Sequence, residues 1–202
     1  VSEDHSIANA NRCAIFFSTT FKEFSMPRIQ PVSREAASPE LAQIYDGVKA
    51  KIGMLPNLFA TFGQAPAVLK AYLALGDALG TGRLTAAQRE IVALAVGQAN
   101  KCQYCLSAHT MMGKGAGLSD SAMQDARQGK AASPVDNALA ELARKITVQR
   151  GELSDADLAS ARAAGLDDGH IMEVIGNVAH NTLTNYTNHI AQTSIDFPVV
   201  AV

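Results

Sequence analysis

The chain has 202 residues, 48% of them apolar and 18% charged, with a formal net charge of −2. That composition describes a globular chain long enough for a well-buried core, and it excludes a disordered one. The weak acidic balance, the absence of Trp and the scarcity of aromatic residues argue against a nucleic-acid surface or an anionic membrane as partner. No apolar run approaches the roughly 18–20 residues of a membrane span. The three cysteines, an odd number, do not make a disulfide framework for a chain of this size. The expected setting is therefore cytoplasmic, where two cysteines three apart point to redox or metal chemistry.

Residues 1–25 are polar, irregular and lack helical periodicity, and a globular pattern begins after Met26-Pro27-Arg28. The expectation is a flexible N-terminal extension over 1–25, containing Cys13, and one helical domain over 26–202. Either Met26 is the biological start, or the preceding stretch is an ordinary flexible arm. Ser38-Pro39-Glu40 is an N-cap, a proline at the first helical position and an acid in the first turn; Gly53 ends that helix. Pro66 opens another, to about Leu79, and Gly80-Thr81-Gly82 breaks it. Thr85 and Gln88 form a capping box ahead of Ile91-Val92-Ala93-Leu94-Ala95-Val96, which is apolar on all sides and so predicts a centrally buried helix.

The next helix carries Cys102 to about Lys114, with Gly115 and Gly117 closing it. Ser119, Ser133-Pro134 and Ser154 are three more N-caps, and a last long helix runs from about Gly169 to Gln192. No segment alternates as a strand does. The fold class is all-α, with at least six helices after residue 38 and no sheet. A faint internal echo relates Ile91–His109 to Ile171–His189 at a constant offset of eighty, with Thr182 and Asn185 in place of the cysteines. It reads equally as a degenerate duplication or as chance likeness between alanine-rich helices.

The chemistry concentrates in Glu90 and in Cys102-Gln103-Tyr104-Cys105-Leu106-Ser107-Ala108-His109. At about 100° per residue, positions 102, 105 and 109 share a helical face. Cysteines three apart on a helix have Cα atoms about 5–5.5 Å apart, within reach of a disulfide. One thiolate can attack an O–O bond and become a sulfenic acid, and the second thiol can resolve it. His109 and Glu90 can move the protons. By helix position alone, Cys102 is the better thiolate, since it lies nearer the N-terminus. Zinc is the sharper rival, with Cys102, Cys105, His109 and Glu90 as four possible ligands, although structural zinc usually adds a further Cys or His pair. Two buried core cysteines are the bland reading. Haem attachment is excluded because Leu106, not His, follows Cys105. His170, His180 and His189 read as capping or packing residues, and Met111 and Met112 as core or interface fillers.

Glu, eleven residues, Cys-x-x-Cys, three residues and His is a pattern that resembles the alkylhydroperoxidase D-like branch of the carboxymuconolactone decarboxylase superfamily. The resemblance covers residues 40–120 well and Asn185-Tyr186-Thr187-Asn188-His189 more loosely. It implies an all-helical fold, a homo-oligomer of three or six chains, and thiol-dependent reduction of hydrogen peroxide or small organic hydroperoxides by way of an external thiol or dithiol reductant. No metal and no organic cofactor is expected. It implies Cys105 as the peroxidatic cysteine, Cys102 as proton donor and resolving thiol, and Glu90 and His109 as the proton relay. The sequence departs from the family at Tyr104, where a second His is usual; Tyr carries protons poorly near neutral pH. Two other readings are a lactone decarboxylase, which does not use the cysteine pair, and a non-catalytic redox-sensing helical module.

Overall fold

The computed structural model describes residues 26–202. The expected extension over 1–25, with Cys13, lies outside the described residues. Among these residues there are nine helices and no strand: α1 Pro39–Ile52, α2 Asn57–Phe62, α3 Pro66–Gly80, α4 Ala86–Ala99, α5 Gln103–Gly115, α6 Asp120–Arg127, α7 Pro134–Gln149, α8 Asp155–Ala163 and α9 Asp168–Ala191. The starts follow local capping chemistry. The side chains of Ser38, Thr85, Ser119, Ser133 and Ser154 each accept a backbone N–H of the first turn, and Thr85–Gln88 is a reciprocal capping box. Gly53 and Gly117, both at φ 88°, supply the left-handed turns after α1 and α5.

Helix α4 is the axis of the fold and packs against α5, α6, α7 and α9. Residues Ile91 to Gly97 are buried around its whole circumference, as its unbroken apolar run predicts. Its faces feed separate apolar clusters. Val92, Ala95 and Val96 meet Leu139, Leu142 and Val174 from α7 and α9. Ile91 and Leu94 meet Leu106 and Met123 from α5 and α6. A third cluster, built on Tyr45, Phe59, Phe62 and Leu69, includes both Cys102 and Cys105.

Helix α2 has no counterpart in the sequence reading. It is six residues long, and Pro56 at its N-cap offers no side-chain acceptor. The acceptor comes instead from Asp196, whose Oδ2 takes the Asn57 N–H at 2.7 Å across 139 residues of chain. The last helix starts at Asp168 with Asp167 as its cap, and Arg28 N–H donates to the Ala191 carbonyl at its far end, at 2.7 Å. Met111 and Met112 are exposed and do not fill the core.

Helix α9 is unusual in what it buries. Its inward side carries Asn177, Asn181, Thr184, Asn185 and Asn188, while Met172, Ile175, Leu183, Tyr186 and Ile190 stand exposed on its outward side. No helix among the described residues is long and apolar enough to cross a membrane.

Candidate active site

The site begins where α4 hands over to α5. Lys101, at φ 55°, makes a left-handed turn. Its neighbours are tied down on both sides: Cys102 N–H donates to the Gly97 carbonyl at 2.9 Å, and His189 Nε2 donates to the Asn100 carbonyl at 2.8 Å. Asn100 Nδ2 donates to Asn185 Oδ1 at 2.9 Å, which joins the turn to α9. Cys102 is then the N-cap of α5, its Sγ accepting the Cys105 N–H at 3.3 Å. Cys102 and Cys105 form a disulfide with their Cα atoms 5.3 Å apart, inside the separation expected from the spacing. Both are buried, at 1% and 3% exposure.

Asn188 of α9 lies against this bond. Its Nδ2 points to Cys105 Sγ at 3.4 Å and stands 4.0 Å from Cys102 Sγ. Its Oδ1 is buried and has no hydrogen-bond partner among the described residues. Beside it opens a cavity of about 190 Å³, walled by Lys101, Cys102, Tyr104, Asn188, His189 and Thr193. Cys105 is not part of its lining.

Glu90 and His109 meet as the spacing anticipates. Glu90 Oε2 from α4 lies 2.8 Å from His109 Nδ1 on α5, with side chains only 12% and 16% exposed. His109 is one turn beyond Cys105. No hydrogen bond joins His109 or Glu90 directly to either sulfur among the described residues. Next to the ion pair, Tyr72 of α3 stacks on His180 of α9, with ring centroids 4.0 Å apart and planes 6° apart. His180 Nε2 donates to the Tyr72 carbonyl at 3.2 Å. Burial lowers the pKa of His180, and the neighbouring His109 lowers it further. Burial raises that of Tyr72, and the Glu90 charge adds to the shift. The stack therefore sets two rings that favour their neutral forms beside the Glu90–His109 pair.

Tyr104, which stands where the family commonly has His, points away from this chemistry. Its hydroxyl accepts the Leu58 N–H at 3.2 Å and its ring meets Phe197 edge-on at 5.5 Å. Burial holds its hydroxyl pKa far above the ordinary phenol value. It anchors α2 and the C-terminal segment, which is also tied to α5 by Val200 N–H donating to Ser107 Oγ at 3.2 Å. His170 pairs with the capping Asp167 at 2.7 Å, as a capping histidine would. The described residues contain no grouping of three or more His, Cys, Asp or Glu side chains disposed to hold a metal ion.

The sequence alone does not single out Asn188 or Tyr72, and it leaves His180 as a capping or packing residue with no contact partner named. Asn188 did sit inside the quoted Asn185–His189 segment. An asparagine three residues before the end of a long helix is the available signal, but only the fold shows which side faces the sulfurs.

The class this defines is an all-helical dithiol protein, with a Cys-x-x-Cys bond capping one helix and a carboxylate–imidazole pair one turn away. Residues 66–149 match the carboxymuconolactone decarboxylase family. The chain is 32% identical over 95 residues to the alkyl hydroperoxide reductase Rv2159c of Mycobacterium tuberculosis, covering 46% of this chain and 28% of that protein. It is 49% identical over 47 residues to a protein of Haemophilus influenzae, covering 23% of this chain and 42% of the other. The matches thus span less than half the length of both relatives. Among solved structures, an alkylhydroperoxidase AhpD core, a peroxidase-related protein of Ralstonia eutropha JMP134, superposes with a TM-score of 0.76 at 25% identity, over 85% of this chain and 93% of that one. The debrominase Bmp8 shares the fold, with a TM-score of 0.71 at 17% identity over 84% and 92% of the two chains. Residues 66–149 thus carry the carboxymuconolactone decarboxylase family pattern, and the fold is shared with the alkylhydroperoxidase AhpD core.

Proposed function

We propose that the chain is a thiol-dependent peroxidase acting on hydrogen peroxide or small organic hydroperoxides. The observation that carries this reading is the buried Cys102–Cys105 bond one helical turn from the Glu90–His109 ion pair. The similarity to an alkyl hydroperoxide reductase supports it. In the reduced state the Cys105 thiolate attacks one peroxide oxygen. The O–O bond breaks, the alkoxide takes a proton through His109 and Glu90, and Cys105 becomes a sulfenic acid. The Cys102 thiol then attacks that sulfur, the disulfide forms and water leaves. Tyr104 takes no part in the relay, since its hydroxyl is committed to the Leu58 amide. An external thiol or dithiol closes the cycle.

Residues 26–202 form the catalytic domain in this reading, and it works as a homo-oligomer of three or six copies. The exposed apolar row along α9 supports assembly, because contiguous apolar patches on soluble chains mark interaction surfaces. The test is hydroperoxide turnover with dithiothreitol as reductant. Cys105→Ser should abolish turnover and sulfenic acid labelling. Cys102→Ser should trap one sulfenic acid per chain on Cys105. Turnover of the wild type no faster than free dithiothreitol would overturn the reading, and a trapped sulfenic acid on Cys102 in Cys105→Ser would reverse the order of the two cysteines.

A further inference from the structure

We infer that the cavity beside Cys102 is the docking site for the reducing thiol, and that Asn188 is the residue that stabilises the departing sulfur. The inference rests on the peroxidase reading for its place in a cycle, but its chemistry is disulfide exchange and needs no peroxide. Three observations carry it. The cavity abuts Cys102, which lines it while staying buried, and not Cys105. Asn188, only 6% exposed, lines it with an unpartnered Oδ1, and Thr193 Oγ1 on the same wall is likewise buried and unpartnered. Buried polar atoms without partners are rare in folded proteins, and here two of them belong to residues that line one cavity. Finally, the Asn188 amide N–H is directed to Cys105 Sγ at 3.4 Å, nearer than to Cys102 Sγ.

Exchange requires an attacking thiolate roughly in line with the S–S bond, an accessible sulfur to receive it and a stabilised leaving group. Of the two cysteines, only Cys102 lines the cavity, so the shorter approach leads to its sulfur. A small thiol, or one arm of a dithiol, enters past Lys101, whose ammonium favours the attacker's thiolate form. Its entry uncovers Asn188 Oδ1 and Thr193 Oγ1, which then hydrogen-bond polar groups on the entering molecule. Its sulfur bonds to Cys102 Sγ, the Cys102–Cys105 bond breaks, and the electron pair leaves on Cys105 Sγ as a thiolate held by the Asn188 N–H. A second thiol then attacks the entering molecule's own sulfur and expels Cys102 as a thiolate, which takes up the proton released by the reductant. Reduction from this side delivers Cys105 as the thiolate that the peroxidase reading needs for the next peroxide. Asn188 is a positioning residue here: it polarises the leaving sulfur and aligns the entering one.

The experiment uses the oxidised full-length chain, without peroxide, and 2-mercaptoethanol as the probe. Brief exposure, rapid alkylation and fragment mass spectrometry locate the mixed disulfide. The adduct is expected on Cys102, with the alkyl group on Cys105; an adduct mainly on Cys105 overturns the inference. In parallel, the second-order rate of disulfide reduction by dithiothreitol should fall about tenfold or more in Asn188→Ala, the scale of losing one hydrogen bond to a charged atom. It should fall further in Asn188→Asp, where a carboxylate faces the departing thiolate. In the reduced protein, the Cys105 thiolate absorbance should titrate at higher pH in both variants, a readout that loss of packing alone would not move in that graded order. Should Asn188→Ala fail to fold, the isosteric Asn188→Asp carries the test. Unchanged reduction rates and unchanged thiol titration in a folded Asn188→Asp protein overturn the role of Asn188. A chain that exchanges selectively at Cys102 yet shows no peroxide turnover keeps this inference and loses the peroxidase reading; turnover with adducts on Cys105 does the reverse.

Discussion

The two flanks of α5 are made of different material. On the α4 side, Ile91 and Leu94 pack against Leu106 in a dry apolar layer, and one acid, Glu90, reaches His109. On the α9 side the buried residues are amides: Asn181, Asn185 and Asn188, the last against the sulfurs. The apolar flank fixes where α5 lies, because close-packed aliphatic contacts tolerate little displacement. The amide flank contributes less to stability and more to chemistry, since each amide can donate to sulfur or carbonyl. Helix α9 buries a row of amides beside its apolar core residues Ile171, Val174 and Val178 and leaves a second apolar row exposed, so the same helix serves the site with one face and offers a surface with the other.

The largest effect should fall on the apolar flank. Leu94→Ala removes a side chain with no exposed surface and should cost about 2–5 kcal/mol of folding stability by denaturant melts. If turnover per folded molecule also collapses, the separation between a structural flank and a chemical one fails. Glu90→Gln should do the opposite, lowering hydroperoxide turnover about 100-fold while leaving the melt nearly in place. A third change addresses the outward side of α9. Leu183→Glu puts a charge into the exposed apolar row and should shift the assembly to smaller species at micromolar concentration in sedimentation, with helical content kept. A monomeric wild type would remove the basis for that expectation.

The smallest effect concerns His180. Burial favours its neutral ring, so its folded pKa lies below the ordinary value of about 6.5. As pH falls below that ordinary value the unfolded chain binds the proton first, and stability drops until the folded pKa is reached. Above it the contribution is fully present. His180→Phe keeps the stack on Tyr72 and should flatten the stability profile between pH 6.5 and 5; a profile as steep as the wild type's would assign the slope to other groups.

Much of this architecture was legible because it is locally encoded. Five of the helix starts announce themselves with Ser or Thr caps, and α4 with an apolar run too broad for a surface helix. The site was legible for the same reason: Cys102, Cys105 and His109 are close in sequence, and only Glu90 had to be brought in from the preceding helix. What escaped depends on distant partners. Helix α2 is capped from Asp196, and Asn188 reaches Cys105 across more than eighty residues. Of the two readings open for Met111 and Met112, core or interface filler, the described chain does not support the core one, since both are partly exposed on α5. Tyr104, a poor proton carrier by type, is an anchor for α2 through a partner the sequence does not name, the Leu58 amide.

One detail of the α4–α5 turn reaches into spectroscopy. The Cys105 amide proton is aimed at Cys102 Sγ, so its electronic surroundings depend on what that sulfur is bonded to. A neutral thiol, a thiolate, an intramolecular disulfide and a mixed disulfide each present a different acceptor to the same N–H. The resonance of that single amide in a nitrogen-15 spectrum should therefore occupy a distinct position for each chemical state of Cys102. It can be followed in real time as oxidant or reductant is added, with no label attached to either cysteine.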